Sequence, residues 1–276
     1  MKLTVLVDNN ALVGRYFLAE AGLCFLIESE GKRLLFDTGR SGIFLDNARD
    51  MGISLAELDL VVLSHGHHDH TWGLSTLARH FSSLQAQGLP HRRPRVLTHP
   101  KTMTSIANDT QVELGPLFSA EKLARHFTVD FVCGVTELTP RLSYLGEIPR
   151  IFDFEGRQPL GRKEGETEGD TIPEDSALVY RSDHGLVLIT GCSHSGICNI
   201  VEYARKVTGD ARVVDIIGGL HLQNPSPQQL HGTLTYLAEV RPQRLHACHC
   251  TDLRSKIALA GVADLGEVGV GLKLEY

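Results

Sequence analysis

The 276-residue chain contains no apolar run of membrane-spanning length; short runs such as Leu60 to Leu63 and Leu186 to Ile189 fall far below the ~20 residues a spanning helix needs. A membrane span is therefore excluded. The start offers no secretory core either, because Leu3 to Val7 gives way at once to Asp8, Asn9 and Asn10. The expected location is cytoplasmic. Positive charge is also in short supply: 27 Lys and Arg against 33 Asp and Glu leave a net charge of −6. Nucleic acid, whose binding rests on neutralised phosphates, is not expected as the main partner, and Arg92, Arg93 and Arg95 read as a solvated loop. Six cysteines spread thinly along such a length do not make a disulfide framework, and free thiols are expected. No fixed-period repeat points to a solenoid, and no Gly-x-Ser-x-Gly turn offers a serine nucleophile.

What is present is ordinary globular composition, 42% hydrophobic, over a length that reads as a single domain, residues 1–276. A strand at Val5 to Val7 precedes a hairpin of Gly22 to Glu28 and Lys32 to Asp37 turning at Glu30-Gly31; a helix follows from about Ser41 to Met51. Asp59 to Ser64 reads as a buried strand, Gly73 to Gln85 as a helix, Val96 to Thr98 as a strand and Ser119 to Phe127 as a helix. Residues 156–175, rich in charge, glycine and proline, read as a surface loop or lid. A second hairpin, Ser176 to Tyr180 and Gly185 to Thr190, then leads into a helix from Ile197 to Val207, a strand at Val213 to Ile217, a helix at Ser226 to Val240 and a strand at Arg244 to Cys248. Antiparallel hairpin first and strand-helix alternation second thus occur twice. That order implies an α/β fold of two half-sheets with helices outside, a four-layer sandwich.

Fourteen histidines are the strongest chemical signal, and four of them fall in Ser64-His65-Gly66-His67-His68-Asp69-His70 at the end of a strand. Imidazole and carboxylate donors suit zinc, iron or manganese. On a turn between strand and helix, His65 and His67 can face one cation while Asp69 and His70 face a second; His68, between the pairs, is left out. His221 follows two glycines after a strand and reaches the same strand-end edge, as ligand, substrate contact or proton donor. Cys248 and Cys250 alternate with His249 and should face away from it if that segment is extended.

The HxHxDH turn, preceded by Leu35-Phe36-Asp37-Thr38-Gly39, resembles the metallo-β-lactamase superfamily. Leu6 to Asn9, Gly191 to Ile197, Gly218 to Leu222 and His249-Cys250-Thr251 are similar to the branch of dihydropterin-ribofuranosyl-aminobenzene-phosphate synthase-like metallohydrolases. The resemblance implies an αββα sandwich and two divalent metal ions, zinc first, manganese or iron otherwise. It implies His194 as the third ligand beside His65 and His67, with Cys192 as a thiolate alternative, and His249 beside Asp69 and His70. It implies Asp37 as the acceptor that fixes a metal-bound imidazole. No aspartate ends the strand before Gly191, and two further departures stand out: Glu174-Asp175 occupies the place of a missing histidine, and His68 and Trp72 stand where the pattern carries other residues. Trp72 is expected to wall the pocket, and the start of the helix at Ile197 to offer N–H groups to an anion.

Hydrolysis of a small, anionic ester or phosphodiester by a metal-activated water follows as the first expectation, with Asp69 and His221 as catalytic residues. A synthase of the kind named by the branch is the alternative, and an iron-dependent redox or sulfur enzyme on the same fold is another. The expected partner is a small-molecule substrate. Oligomeric state is open.

Overall fold

Hairpin chemistry and helix caps fix most element ends in the computed structural model, which describes residues Met1–Tyr276. In chain order the first elements are β1 (Lys2–Val7), β2 (Cys24–Ser29), β3 (Lys32–Phe36), α1 (Ile43–Asp50), β4 (Leu60–Val62), α2 (His68–Thr71), α3 (Gly73–Ala86), β5 (Arg95–Thr98), β6 (Ile106–Ala107), α4 (Ala120–Ala124) and β7 (Thr128–Phe131). There follow β8 (Thr136–Glu137), β9 (Leu142–Tyr144), β10 (Arg162–Lys163), β11 (Ala177–Ser182), β12 (Gly185–Thr190), α5 (Ile197–Thr208), β13 (Val213–Gly219), α6 (Pro227–Val240), β14 (Arg244–Cys248), α7 (Leu253–Leu259) and β15 (Lys273–Glu275). No helix is long and apolar enough to cross a membrane.

The chain divides into two compact units, one of Met1–Cys133, Leu160–Asp170 and Gly269–Glu275, the other of Gly134–Pro159, Thr171–Val268 and Tyr276. The first holds a seven-stranded sheet in the order β15-β1-β2-β3-β4-β5-β7. β2 and β3 meet at Glu30 and Gly31, both at positive φ, the geometry a two-residue hairpin demands. From β3 onward the pairing is parallel, and parallel neighbours need helical crossovers, which α1, α3 and α4 supply. Leu6, Leu26, Leu35, Phe44, Leu77, Phe81 and Phe127 form the core between this sheet and its helices.

The second unit repeats the plan in a six-stranded sheet, β14-β13-β12-β11-β9-β8. β11 and β12 form the antiparallel hairpin, and β12, β13 and β14 run parallel through α5 and α6. Val179, Leu188, Ile200, Val201, Ile216, Leu237 and Leu245 make its core. Gly209 closes α5 in the left-handed conformation, while Ser226 caps α6 by accepting from the Gln229 amide with Pro227 in the first turn.

The stretch 156–175 is not uniformly a surface loop. Lys163 and Asp170 pair while both are almost wholly buried, β10 pairs with β6, and Glu174 and Asp175 are fully buried. Composition suggested solvent exposure, but charges go inside when each finds a partner. In the second unit Arg150 ties the loop down by donating to the carbonyls of Gly156, Thr171 and Ile172.

Candidate metal centre

In each unit the chemistry-bearing residues follow the carboxyl ends of parallel strands. In the first unit these are Asp37 after β3 and Ser64 to His70 after β4. Asp37 adopts a left-handed φ of 60°, which turns its fully buried carboxylate under the histidine turn. Oδ1 accepts from the Ser64 amide at 2.7 Å, and Oδ2 accepts from the Ser64 hydroxyl and faces His70 Nδ1, both at 2.7 Å. Because the Ser64 hydroxyl spends its proton on Asp37, it must accept from His65 Nδ1, 2.8 Å away. One carboxylate therefore fixes two imidazoles with Nδ1 protonated and Nε2 carrying the lone pair, one directly and one through a serine.

His65 Nε2 lies 3.1 Å from His67 Nδ1, and the rings of His65 and His70 are 4.3 Å apart. Burial pushes the His67 pKa down to about 4, against the pull of Asp69 and with help from His70, so the ring is neutral at pH 7. Asp69 Oδ2 stands 3.8 Å from His70 Nε2. His68 turns aside, its ring edge-on to Trp72 at 5.2 Å, and the Trp72 indole N–H donates to the Gly115 carbonyl. Thr38 grips His70 from the other side, its N–H and hydroxyl both donating to the His70 carbonyl. This approach requires Gly73, where a Cβ would fall 2.0 Å from the Thr38 carbonyl oxygen. Gly73→Ala is expected to cost about 3 kcal/mol or more, since backbone must move to admit the methyl, and a thermal melt of the variant checks this.

In the second unit the corresponding residues are Gly191 to Gly196 after β12, His221 beyond β13 and His249 after β14. Ser193, His221 and His249 all take left-handed φ values, 61°, 51° and 52°. The Ser193 hydroxyl donates to the Gly219 carbonyl at 2.6 Å, and Asp175 Oδ2 accepts from the Ser195 amide and hydroxyl at 2.8 and 2.6 Å. Burial raises the Asp175 pKa to about 6 against those hydrogen bonds. Its second oxygen, Oδ1, is buried without a hydrogen-bond partner. The His194 and His221 rings lie 4.2 Å apart, and His221 Nδ1 is likewise buried without a partner. Burial alone would lower the His221 pKa, but Cys250 and, less strongly, Asp175 outweigh it and raise the value.

Cys250 does not face away from His249: the left-handed residue at 249 breaks the alternation of an extended strand, and Cys192, His249 and Cys250 bring donor atoms within 4.8 Å of one another. The start of α5 is not open to an anion. The Glu155 carboxylate already occupies it, taking the Asn199 amide at 2.7 Å, with the Ile197 and Cys198 amides as further donors. A Cβ at Gly196 would strike that carboxyl. Burial nonetheless raises the Glu155 pKa to about 7, overriding these hydrogen bonds. Glu155 carries no signal in the sequence; its partner amides are more than forty residues away.

The remaining histidines are structural or peripheral. His99 is buried, and its Nδ1 accepts from the Lys101 amide to cap a short 3₁₀ turn. His184 lies exposed in the β11–β12 turn. His246, which the sequence reading passed over, is buried on β14 with Nδ1 2.7 Å from Asp215 Oδ2, where the Tyr276 hydroxyl also donates at 2.6 Å.

The donor chemistry fits divalent cations. The first unit offers imidazoles fixed by a buried carboxylate, beside Asp69; the second offers imidazoles, thiols and orphaned polar atoms. A family model described as the metallo-beta-lactamase superfamily matches residues 19–239. A 7,8-dihydropterin-6-methyl-4-(beta-D-ribofuranosyl)-aminobenzene-5'-phosphate synthase of Methanocaldococcus jannaschii is 27% identical, the match covering 93% of this chain and 89% of that protein. An uncharacterised protein of the same organism is 28% identical over 96% of this chain and 97% of its own. Among solved structures, a metal-dependent hydrolase of the beta-lactamase superfamily superposes with a TM-score of 0.83 at 29% identity, covering 100% of this chain and 99% of that one.

Proposed function

Because the chain belongs to the metallo-β-lactamase superfamily and has its α/β fold, we propose that it is a binuclear metal-dependent hydrolase of a small anionic ester or phosphodiester. The observation that carries this reading is the hydrogen-bonded set Asp37, Ser64, His65 and His70, which fixes two buried imidazoles in the ligating tautomer. A structural role would not require that arrangement. In this reading His65, His67, Asp69 and His70 are the ligands on the first unit, and His194 and His249 those on the second. Bound cations supply Lewis acidity and lower the pKa of water toward 7. Asp37 keeps the imidazole lone pairs directed outward, and Asp175 sets the loop that carries His194. His221, whose raised pKa keeps more of it protonated at neutral pH, is suited to give a proton to the leaving group. The α5 N-terminus takes no part in anion binding, since Glu155 fills it. The substrate's negative charge would then be left to bound cations to meet.

Protein purified without added metal should contain about two zinc, manganese or iron ions per chain and hydrolyse bis(p-nitrophenyl) phosphate, with activity lost on chelation and restored by the metal. Metal without turnover would defeat the hydrolase reading. His221→Ala should lower kcat by about 10²- to 10⁴-fold with metal content retained, and its pH–rate profile should lose the limb on which activity falls as pH rises. The synthase reading keeps a specific support in the 27% identity to the M. jannaschii synthase along nearly the full chain. Condensation of a dihydropterin with a ribofuranosyl-aminobenzene phosphate, without ester hydrolysis, would favour it. Action in the cytoplasm on a small molecule is common to both readings.

A further inference from the structure

Cys192 and Cys250 bring two sulfurs together beside an imidazole in the second unit. The Cys250 sulfur accepts from the His221 amide at 3.3 Å and donates to the Cys192 carbonyl at 3.3 Å. It is lodged where Gly219 leaves space: a Cβ there would lie 2.5 Å from Cys250 Sγ and 3.3 Å from the Cys192 Cα. The backbone around it is pinned, with β13 and β14 in register at Gly219 and Cys248, the Leu220 amide donating to Thr251 Oγ1, and Leu222 bridged to Thr251. His249, held in the left-handed region, turns its ring to the same place. A donor atom from each of Cys192, His249 and Cys250 falls within 4.8 Å of the others.

We propose that Cys192 and Cys250 are thiolate ligands that join His249 in holding a thiophilic divalent cation, zinc or iron(II), on the second unit. Two sulfurs and an imidazole are a soft donor set, unlike the imidazole and carboxylate donors of the first unit. Binding expels the two thiol protons to solvent as the sulfur–metal bonds form. The proposal deepens the hydrolase reading, on which it rests through His249 alone, and it makes that cation the more sulfur-bound of the two. Removing the sulfurs would then change metal preference.

The test uses the full chain, stripped of metal under reducing conditions and titrated with cobalt(II). Sulfur-bound cobalt shows a near-ultraviolet charge-transfer band that nitrogen- and oxygen-bound cobalt lacks. The wild type should show the band, Cys250→Ser and Cys192→Ser should each weaken it, and the double variant should lose it. Cobalt bound without the band, or a band that survives the double variant, overturns the proposal and leaves the hydrolase reading standing. His67→Ala is the contrasting variant. It should lower the number of cobalt ions bound and leave the band; a band that persists in a protein without chelator-sensitive hydrolysis would support the thiolate site while the hydrolase reading fails. Should the serine variants not fold, iodoacetamide labelling of the wild type decides instead: cobalt should protect Cys192 and Cys250, located by peptide mass, and equal labelling with and without cobalt would overturn the proposal.

Discussion

Replacing Asp37 with asparagine is expected to weaken metal binding by roughly 10- to 100-fold while the fold survives. Three buried donors converge on this carboxylate: the Ser64 amide, the Ser64 hydroxyl and His70 Nδ1. Asparagine can still accept from the Ser64 amide through its carbonyl, but its NH₂ group then points where Oδ2 accepted. His70 must respond by shifting its proton from Nδ1 to Nε2, which removes the lone pair available to a cation. Ser64 must turn its hydroxyl as well, releasing His65 from its tautomer. The stability cost should be about 1–3 kcal/mol, the range for disturbing one buried hydrogen-bonded group. Asp37→Ala goes further, since it leaves every donor without an acceptor, and should melt well below the asparagine variant. Metal titration followed by a thermal melt separates the two effects. An asparagine variant that binds metal like wild type would show that Asp37 does not set the tautomers.

Glu155 predicts an unusual dependence of stability on pH. Its carboxyl pKa rises from the ordinary 4.5 to about 7 on folding, chiefly through burial. Between those values the native state holds a proton that the unfolded chain has released, so stability falls as pH rises from about 4.5 to about 7 and is unaffected by this group outside that window. A shift of about 2.5 pH units corresponds to about 3 kcal/mol. Glu155→Gln keeps an acceptor for the α5 amides and cannot ionise. The difference in stability between wild type and Glu155→Gln should therefore favour wild type by about 3 kcal/mol more at pH 4.5 than at pH 8, equivalent to roughly 5–10 °C in melting temperature. Parallel stability curves for the two proteins would rule out a proton taken up here on folding.

The parts of the fold that were legible in the sequence owe their legibility to local rules. Gly209 and Ser226-Pro227 mark the ends of α5 and α6, and Glu30-Gly31 marks the first hairpin, because left-handed glycine, side-chain caps and two-residue turns act over a few residues. β15 and α7 were not legible. The first is three residues made a strand by pairing with β1 across almost the whole chain, and the second is a short helix begun by the Asp252 cap with Leu253 and Ile257 exposed. At the candidate site, the histidine cluster after β4 announced itself, whereas Ser64 stood in the motif with its part unseen. Cys250 was misplaced because alternation presumes extended backbone, and a single left-handed residue cancels that presumption. The buried charges at 163, 170 and 155 were hidden for a further reason: composition reports what a segment is made of, not which distant partner neutralises it.

Asp37, Ser193, His221 and His249 share a backbone conformation that costs a non-glycine residue about 1–2 kcal/mol relative to ordinary regions. All four lie just beyond a strand, among the donors. Selection for thermal stability alone would thus be drawn to these positions, since glycine at 193, 221 or 249 relaxes the chain. A library screened by heat resistance should accumulate such replacements and, where 249 is among them, lose metal as it gains melting temperature. The same library screened for metal retention should keep histidine at 249 and find its stabilising changes elsewhere.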